Sequence, residues 1–216
     1  MEELMGFLKN PDTALIVVDV QNDFLPGGAL PVPEGDAVIG PINQLIRAAS
    51  TVVLTADWHP AEHQSFAANH PDRHPFDVID MPYGKQVLWP PHCVGGSKGA
   101  AFAEKLNAVE ADLILRKGTC AERDSYSAFL EADRHTRTGL AGWLTERGIR
   151  KVVICGLAAD YCVSWTALDA VEAGFEVYVV TDGIRAIAPA SYEDAQTPWR
   201  SAGIRLTSAE ELFSAV

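Results

Sequence analysis

The 216-residue chain predicts an α/β fold, a mainly parallel sheet with helices on both faces, and three observations carry that prediction. Short apolar runs alternate with amphipathic stretches along the whole length. The runs are rich in β-branched residues and lack polar alternation, as strands covered on both faces require. Four of them lead into a chemically capable residue: Asp19, Asp57, Lys117 and Cys162. In a parallel sheet those four would gather at one carboxyl edge, where ligands of open α/β sheets bind.

The first strand is expected at Ala14 to Val18, ending at Asp19 and followed by the Pro26-Gly27-Gly28 turn. Asp36 to Ser50 places Val38, Ile42, Leu45, Ile46 and Ala49 on one helical face, with Pro41 demanding a kink or a late start. Further strands are expected at Thr51 to Ala56, Asp112 to Leu115, Lys151 to Cys155, Phe175 to Thr181 and Ile204 to Thr207. Helices are expected around Gly99 to Asn107, Thr138 to Arg147, Asp160 to Ala173 and Ser191 to Ala202. Between Trp58 and Ser97, five of the six histidines and six of the thirteen prolines occur with little periodicity. A connection of that length is functional or disordered, and its aromatic residues argue against disorder.

The length suits one domain spanning residues 1–216, with a substantial core. A formal net charge of -12 opposes a nucleic-acid surface, and no basic run offsets it. The beginning, Met-Glu-Glu-Leu-Met, has neither a basic region nor a long apolar stretch, so a cytoplasmic protein without membrane insertion is expected. Four scattered cysteines make neither a disulfide framework nor a zinc knuckle. Whether copies of the chain associate into a homo-oligomer is left open.

The stretch Ile154-Cys-Gly-Leu-Ala-Ala-Asp-Tyr-Cys-Val-Ser-Trp165 carries the sharpest chemical signal. A buried strand ends, Gly156 permits a sharp turn, and Asp160 is placed to cap the helix that follows. Cys162 would then sit in that helix's first turn, where free N–H groups and the helix dipole favour a thiolate and can hold an oxyanion. Cys155, inside the apolar run, reads instead as a small hydrophobe.

Asp57-Trp58-His59 sets two metal-ligand side chains on the same side of an extended backbone. His92, stiffened by Pro90 and Pro91, is the best third donor. One carboxylate and two imidazoles with open positions suit catalytic zinc, or iron or manganese. His63, His70 and His74 read as solvated, although His63, or Ser65 through its hydroxyl, could add a ligand. Cys93 points away from its neighbour His92 and is left out.

Six segments in order resemble the nicotinamidase/pyrazinamidase branch of the isochorismatase-like cysteine hydrolases: VVDVQNDFLPGGAL from Val17, TADWHPAEHQSFAANH from Thr55, WPPHCV from Trp89, RKGTCAERDSYSAF from Arg116, GLAADYCVSWTALDA from Gly156 and VVTDG from Val179. The resemblance implies a three-layer α/β/α sandwich around a six-stranded parallel sheet. It implies a catalytic triad of Cys162, Asp19 and Lys117, an oxyanion site at the N–H groups of Ala158 and Cys162, and a cis Leu157–Ala158 peptide. It implies one divalent metal on Asp57, His59 and His92, a trio that metal-free relatives such as isochorismatases lack. Phe24, Trp89 and Tyr126 would line a slot for a flat ring. The expected reaction is hydrolysis of nicotinamide to nicotinate and ammonia through a thioester, with pyrazinamide also accepted, in NAD salvage. The alternative is a relative acting on another small amide or ureido substrate.

Overall fold

The computed structural model describes residues 6–214. Its centre is a six-stranded sheet made of β1 (Thr13–Val18), β2 (Val52–Asp57), β5 (Leu113–Lys117), β6 (Lys151–Leu157), β7 (Glu176–Arg185) and β8 (Arg205–Thr207). They lie in the order β5-β2-β1-β6-β7-β8, with every neighbouring pair parallel. All six expected strands are therefore present.

The side-chain alternation of β1 shows why the runs are uniformly apolar. Leu15 and Val17 enter one core with Val38, Ile42, Leu45 and Ile46, on and beside α1 (Ile39–Ala48). Ala14, Ile16 and Val18 enter the other, with Leu140, Leu144, Val163, Ala167, Ala170 and Trp199. Those residues come from α2 (Leu140–Glu146), α3 (Cys162–Glu172) and α4 (Pro189–Ser201). Both faces of the strand are covered, so neither set of positions tolerates a polar residue. Pro41 falls in the first turn of α1, where its missing N–H costs nothing, after a short 3-10 turn at Gly35–Val38.

Three departures from the sequence expectations have clear causes. The helix expected over Gly99 to Asn107 does not form. Ala101 and Gly99 carbonyls instead accept from Asn22 and Asp23, and Ala103 N–H donates to Val20. That segment spends its backbone groups tying down the loop after β1. Within the aperiodic stretch lies an antiparallel hairpin, β3 (Val78–Met81) and β4 (Gly84–Val87), turned at Pro82 and Tyr83. Finally, α5 (Ala209–Ser214) follows β8. Its start carries a reciprocal cap, Glu211 N–H donating to Ser208 Oγ at 3.2 Å and Ser208 N–H to Glu211 Oε2 at 2.9 Å.

Gly156 is needed where β6 passes β1. Its φ is +117°, and a Cβ there would lie 2.0 Å from the Val18 carbonyl oxygen. Only glycine fits both conditions. The following Leu157–Ala158 peptide is cis. No helix among the described residues is long and apolar enough to cross a membrane.

Candidate active site

Three adjacent strands deliver charged side chains to one point at their carboxyl ends. Asp19 follows β1, Asp57 closes β2 and Lys117 closes β5. Cys162 opens α3, which follows β6. All four are buried. Lys117 Nζ lies 2.8 Å from Asp19 Oδ2, contacts Asp57 Oδ1, and donates to Ser125 O at 3.0 Å and to Cys162 Sγ at 3.4 Å. Thr55 Oγ1 donates to Asp19 Oδ1 at 2.6 Å. Asp19 Oδ2 accepts no directed hydrogen bond despite its burial, and an Asp19 oxygen comes within 4.8 Å of Cys162 Sγ.

One ammonium thus faces two carboxylates and a sulfur, and the protonation preferences follow from that imbalance. Burial would raise Asp57, but Lys117 and the neighbouring histidines outweigh it and hold the carboxyl well below its usual range. Burial raises Asp19 to about 6, with Lys117 opposing and Asp57 reinforcing. Lys117 itself is held protonated; burial works against its charge, and Asp19 and Asp57 overcome it. Burial also pushes the Cys162 thiol well up, and the two carboxylates add to this against Lys117. The helix-start argument for a resting thiolate therefore fails. The position is as expected, but the sulfur is dry and sits beside two acids, and in this setting the thiol needs a base.

Asp160 also differs from its expected use. Tyr161, not Asp160, precedes α3, and it makes no side-chain cap. The Asp160 carboxylate instead accepts from Ile187 N–H at 3.0 Å, Ala188 N–H at 3.2 Å and the Ser191 hydroxyl, so it anchors the segment that leads into α4.

Asp57, His59 and His92 offer donor atoms that all lie within 4.8 Å of one another. Asp57 Oδ2 is 3.6 Å from His59 Nε2 and 3.9 Å from His92 Nε2. His59 Nδ1 is 2.9 Å from Gly118 O, and His92 Nδ1 is 2.8 Å from Pro90 O. A carbonyl only accepts, so each Nδ1 carries a proton and each Nε2 is turned toward Asp57. Burial and the nearby His59 lower His92 to about 4, which keeps it neutral. Burial works against a charge on His59 too, but Asp57 outweighs it and pulls His59 up from its ordinary range, so a cation taking the His59 Nε2 position would displace a proton. Two imidazoles and an ionised carboxylate converging in this way fit a divalent cation. Gln21 fixes the carboxylate's backbone, donating to Asp57 O and accepting from Asp57 N–H, both at 2.8 Å.

The other histidines correct the sequence reading in part. His74 is exposed, as expected, and His70 is half-buried with Nε2 2.7 Å from Gln64 O. His63 is fully buried rather than solvated. Its Nε2 pairs with Arg123 O at 3.1 Å and its Nδ1 with Ser65 Oγ at 2.7 Å, so both ring nitrogens and the Ser65 hydroxyl are already engaged. Cys93 is buried with its N–H held by Asp23 Oδ2 at 2.7 Å.

A small cavity of about 30 Å³ opens over Cys162, lined by Phe24, Trp89 and Tyr126 together with Asp57, His92 and Ala158. Four further lining residues carry no separate signal in the sequence: Leu30, Asp124, Tyr161 and Ile187. Tyr161 packs edge-on to Trp89 with centroids 4.9 Å apart and lies 5.7 Å from Tyr126, so it completes an aromatic wall suited to a planar ring. Its place beside Cys162 in the chain was the available clue. The backbone N–H groups of Ala158 and Cys162, at the end of β6 and the start of α3, donate to no acceptor among the described residues.

The chain matches the Isochorismatase domain family over residues 13–211. It is 57% identical over 174 residues, 81% of each chain, to a nicotinamidase from Acinetobacter baylyi. Its structure superposes on a nicotinamidase/pyrazinamidase from Acinetobacter baumanii with a TM-score of 0.93 at 50% identity, covering 94% of this chain and 99% of the other. A pyrazinamidase from Pyrococcus horikoshii solved in complex with zinc gives a TM-score of 0.75 at 40% identity, over 92% of this chain and 99% of the other. By domain match, by sequence and by fold, the chain belongs to the isochorismatase family.

Proposed function

We propose that this protein is a single-domain nicotinamidase that hydrolyses nicotinamide to nicotinate and ammonia, accepts pyrazinamide, and serves NAD salvage in the cytoplasm. The observation that carries the reading is the meeting of Cys162, Asp19 and Lys117 beside the converging Asp57, His59 and His92 donors, under one aromatic cavity. The names of its relatives support the substrate.

A carboxamide is a weak electrophile with a poor leaving group, so nucleophile, base and oxyanion donors must act together. Asp19, a carboxylate oxygen of which lies within 4.8 Å of Cys162 Sγ, accepts the thiol proton as the sulfur attacks the amide carbon. The carbonyl oxygen, now anionic, takes hydrogen bonds from the Ala158 and Cys162 N–H groups. Asp19 returns the proton to the amine, ammonia leaves, and a thioester remains. Asp19 then deprotonates a water that attacks the thioester, which releases nicotinate and restores the thiol. Lys117 holds Asp19 in place at 2.8 Å and stabilises the transient thiolate. Phe24, Trp89, Tyr126 and Tyr161 hold the ring flat. Asp57, His59 and His92 would hold one divalent ion, zinc by analogy with the Pyrococcus protein, which would anchor and polarise the ring nitrogen.

The test is ammonia release from nicotinamide by wild type, Cys162→Ala and His92→Ala, with metal analysis of each. The expected result is at least a thousandfold loss of turnover in Cys162→Ala at full metal content, and loss of bound metal in His92→Ala. Activity surviving in Cys162→Ala would remove the covalent route, and full metal occupancy in His92→Ala would remove the coordination.

A further inference from the structure

The reaction turns an uncharged ligand into an anion, and the carboxylates in and beside the cavity over Cys162 are not equivalent. Asp19 and Asp57 share Lys117. Asp124, 3% exposed, lines the same cavity and has no lysine or arginine partner among the described residues, although its carboxylate lies within 4.8 Å of nitrogens of His59 and His63. Its Oδ1 accepts from Ser125 N–H and its Oδ2 from Gln86 Nε2, each at 2.8 Å. Both donors are neutral, and both oxygens act as acceptors, the pattern of an ionised carboxylate. Gln86, on the β3–β4 hairpin, also reaches the Tyr126 hydroxyl at 3.1 Å, so the carboxylate is fixed to the ring slot rather than free to swing to solvent.

Burying a carboxylate without a cation is costly. We infer that Asp124 is a specificity-determining residue that discriminates by charge: it disfavours anionic ligands in the slot, so that uncharged ring amides enter readily and the carboxylate product leaves. The inference rests on the amidase reading for its substrate pair. Asp57 and Asp124 are the two acids of the cavity wall, and Asp57 is offset by Lys117 and by the divalent ion it would hold with His59 and His92. Asp124 is the acid whose charge no lysine or arginine offsets, and like charges brought together in a dry site repel strongly.

The experiment uses zinc-loaded Cys162→Ala, which binds without turning over, and measures calorimetric affinities for nicotinamide and nicotinate, two ligands of nearly equal shape. The same pair is measured in Cys162→Ala carrying Asp124→Asn or Asp124→Glu, with zinc content determined for all three. Nicotinamide is expected to bind more tightly than nicotinate in the parent. Asp124→Asn should shift the ratio about tenfold toward nicotinate, and Asp124→Glu should keep the parent's preference. Nicotinate binding as tightly as nicotinamide in the parent would overturn the inference whether or not the Asn variant folds. So would an unchanged ratio in Asp124→Asn, or an equal loss of both ligands accompanied by loss of zinc, which would reassign Asp124 to the support of His59. Failure of the wild type to release ammonia from nicotinamide is a separate result and would strike the amidase reading instead.

Discussion

Gly118 carries no reactive group, yet the imidazole of His59 depends on it twice. Its carbonyl oxygen accepts a hydrogen bond from His59 Nδ1–H at 2.9 Å, which fixes the tautomer. Its φ is +65°, and a Cβ on it would stand 2.3 Å from His59 Cε1. Gly118→Ala must therefore rotate or push away the ring whose Nε2 faces Asp57. The expected outcome is a 10–100-fold weaker affinity for zinc, the usual cost of losing a group that orients a ligand. Cys162 stays in its own segment, so its alkylation by iodoacetamide should persist. Competition with a chelator reads the affinity, and an unchanged zinc affinity would show that His59 has another place to go.

At the scale of elements, α4 begins on a carboxylate from another segment. Asp160 anchors the entry to α4 through Ile187 N–H, Ala188 N–H and the Ser191 hydroxyl, and Ile187, like Tyr161, lines the cavity. One residue thus couples the stability of a helix to the shape of the ring slot. Asp160→Ala should cost about 1–3 kcal/mol of unfolding free energy, the range for donors left without their acceptor, measured by urea denaturation. KM for nicotinamide should rise several-fold, while kcat changes little because the Cys162–Asp19–Lys117 contacts lie elsewhere. A large fall in kcat at unchanged KM would mean that Asp160 instead positions the start of α3. Sequence spacing assigned Asp160 to the nearer helix because capping is ordinarily local, and only the fold shows the more distant partner. At α5 the Ser208–Glu211 box is local, yet that helix was absent from the sequence expectations.

In the molecule as a whole, what could be read from the sequence was what repeats along the chain. Uniformly apolar runs declared the buried parallel sheet, and their chemically capable endings named Asp19, Asp57, Lys117 and Cys162 before any coordinates. What could not be read was the balance of charge where these segments meet. A helix start argued for a thiolate at Cys162, and nothing in the spacing said that two carboxylates would share one lysine around it. Asp124 and His63 stayed hidden for the same reason, being single polar residues in aperiodic loops whose burial is decided by the loops packing together. That shared lysine makes a pH prediction. Asp19, raised to about 6 by burial against the pull of Lys117, must be unprotonated to take the thiol proton. Activity is therefore lost as pH falls through about 6, and kcat/KM for nicotinamide should drop about tenfold per unit below it. The same shift acts oppositely on stability. A carboxyl whose folded pKa exceeds its ordinary 3.8 holds its proton more tightly when folded, so this contribution to stability is present at low pH and fades as pH rises through about 6. A kcat/KM profile between about pH 4.5 and about pH 8, taken with zinc content held constant, decides the matter. A limb that stays flat down to about pH 4.5 would mean that Lys117 belongs chiefly to Asp19, and that Asp57 is the acid left to be balanced by other groups.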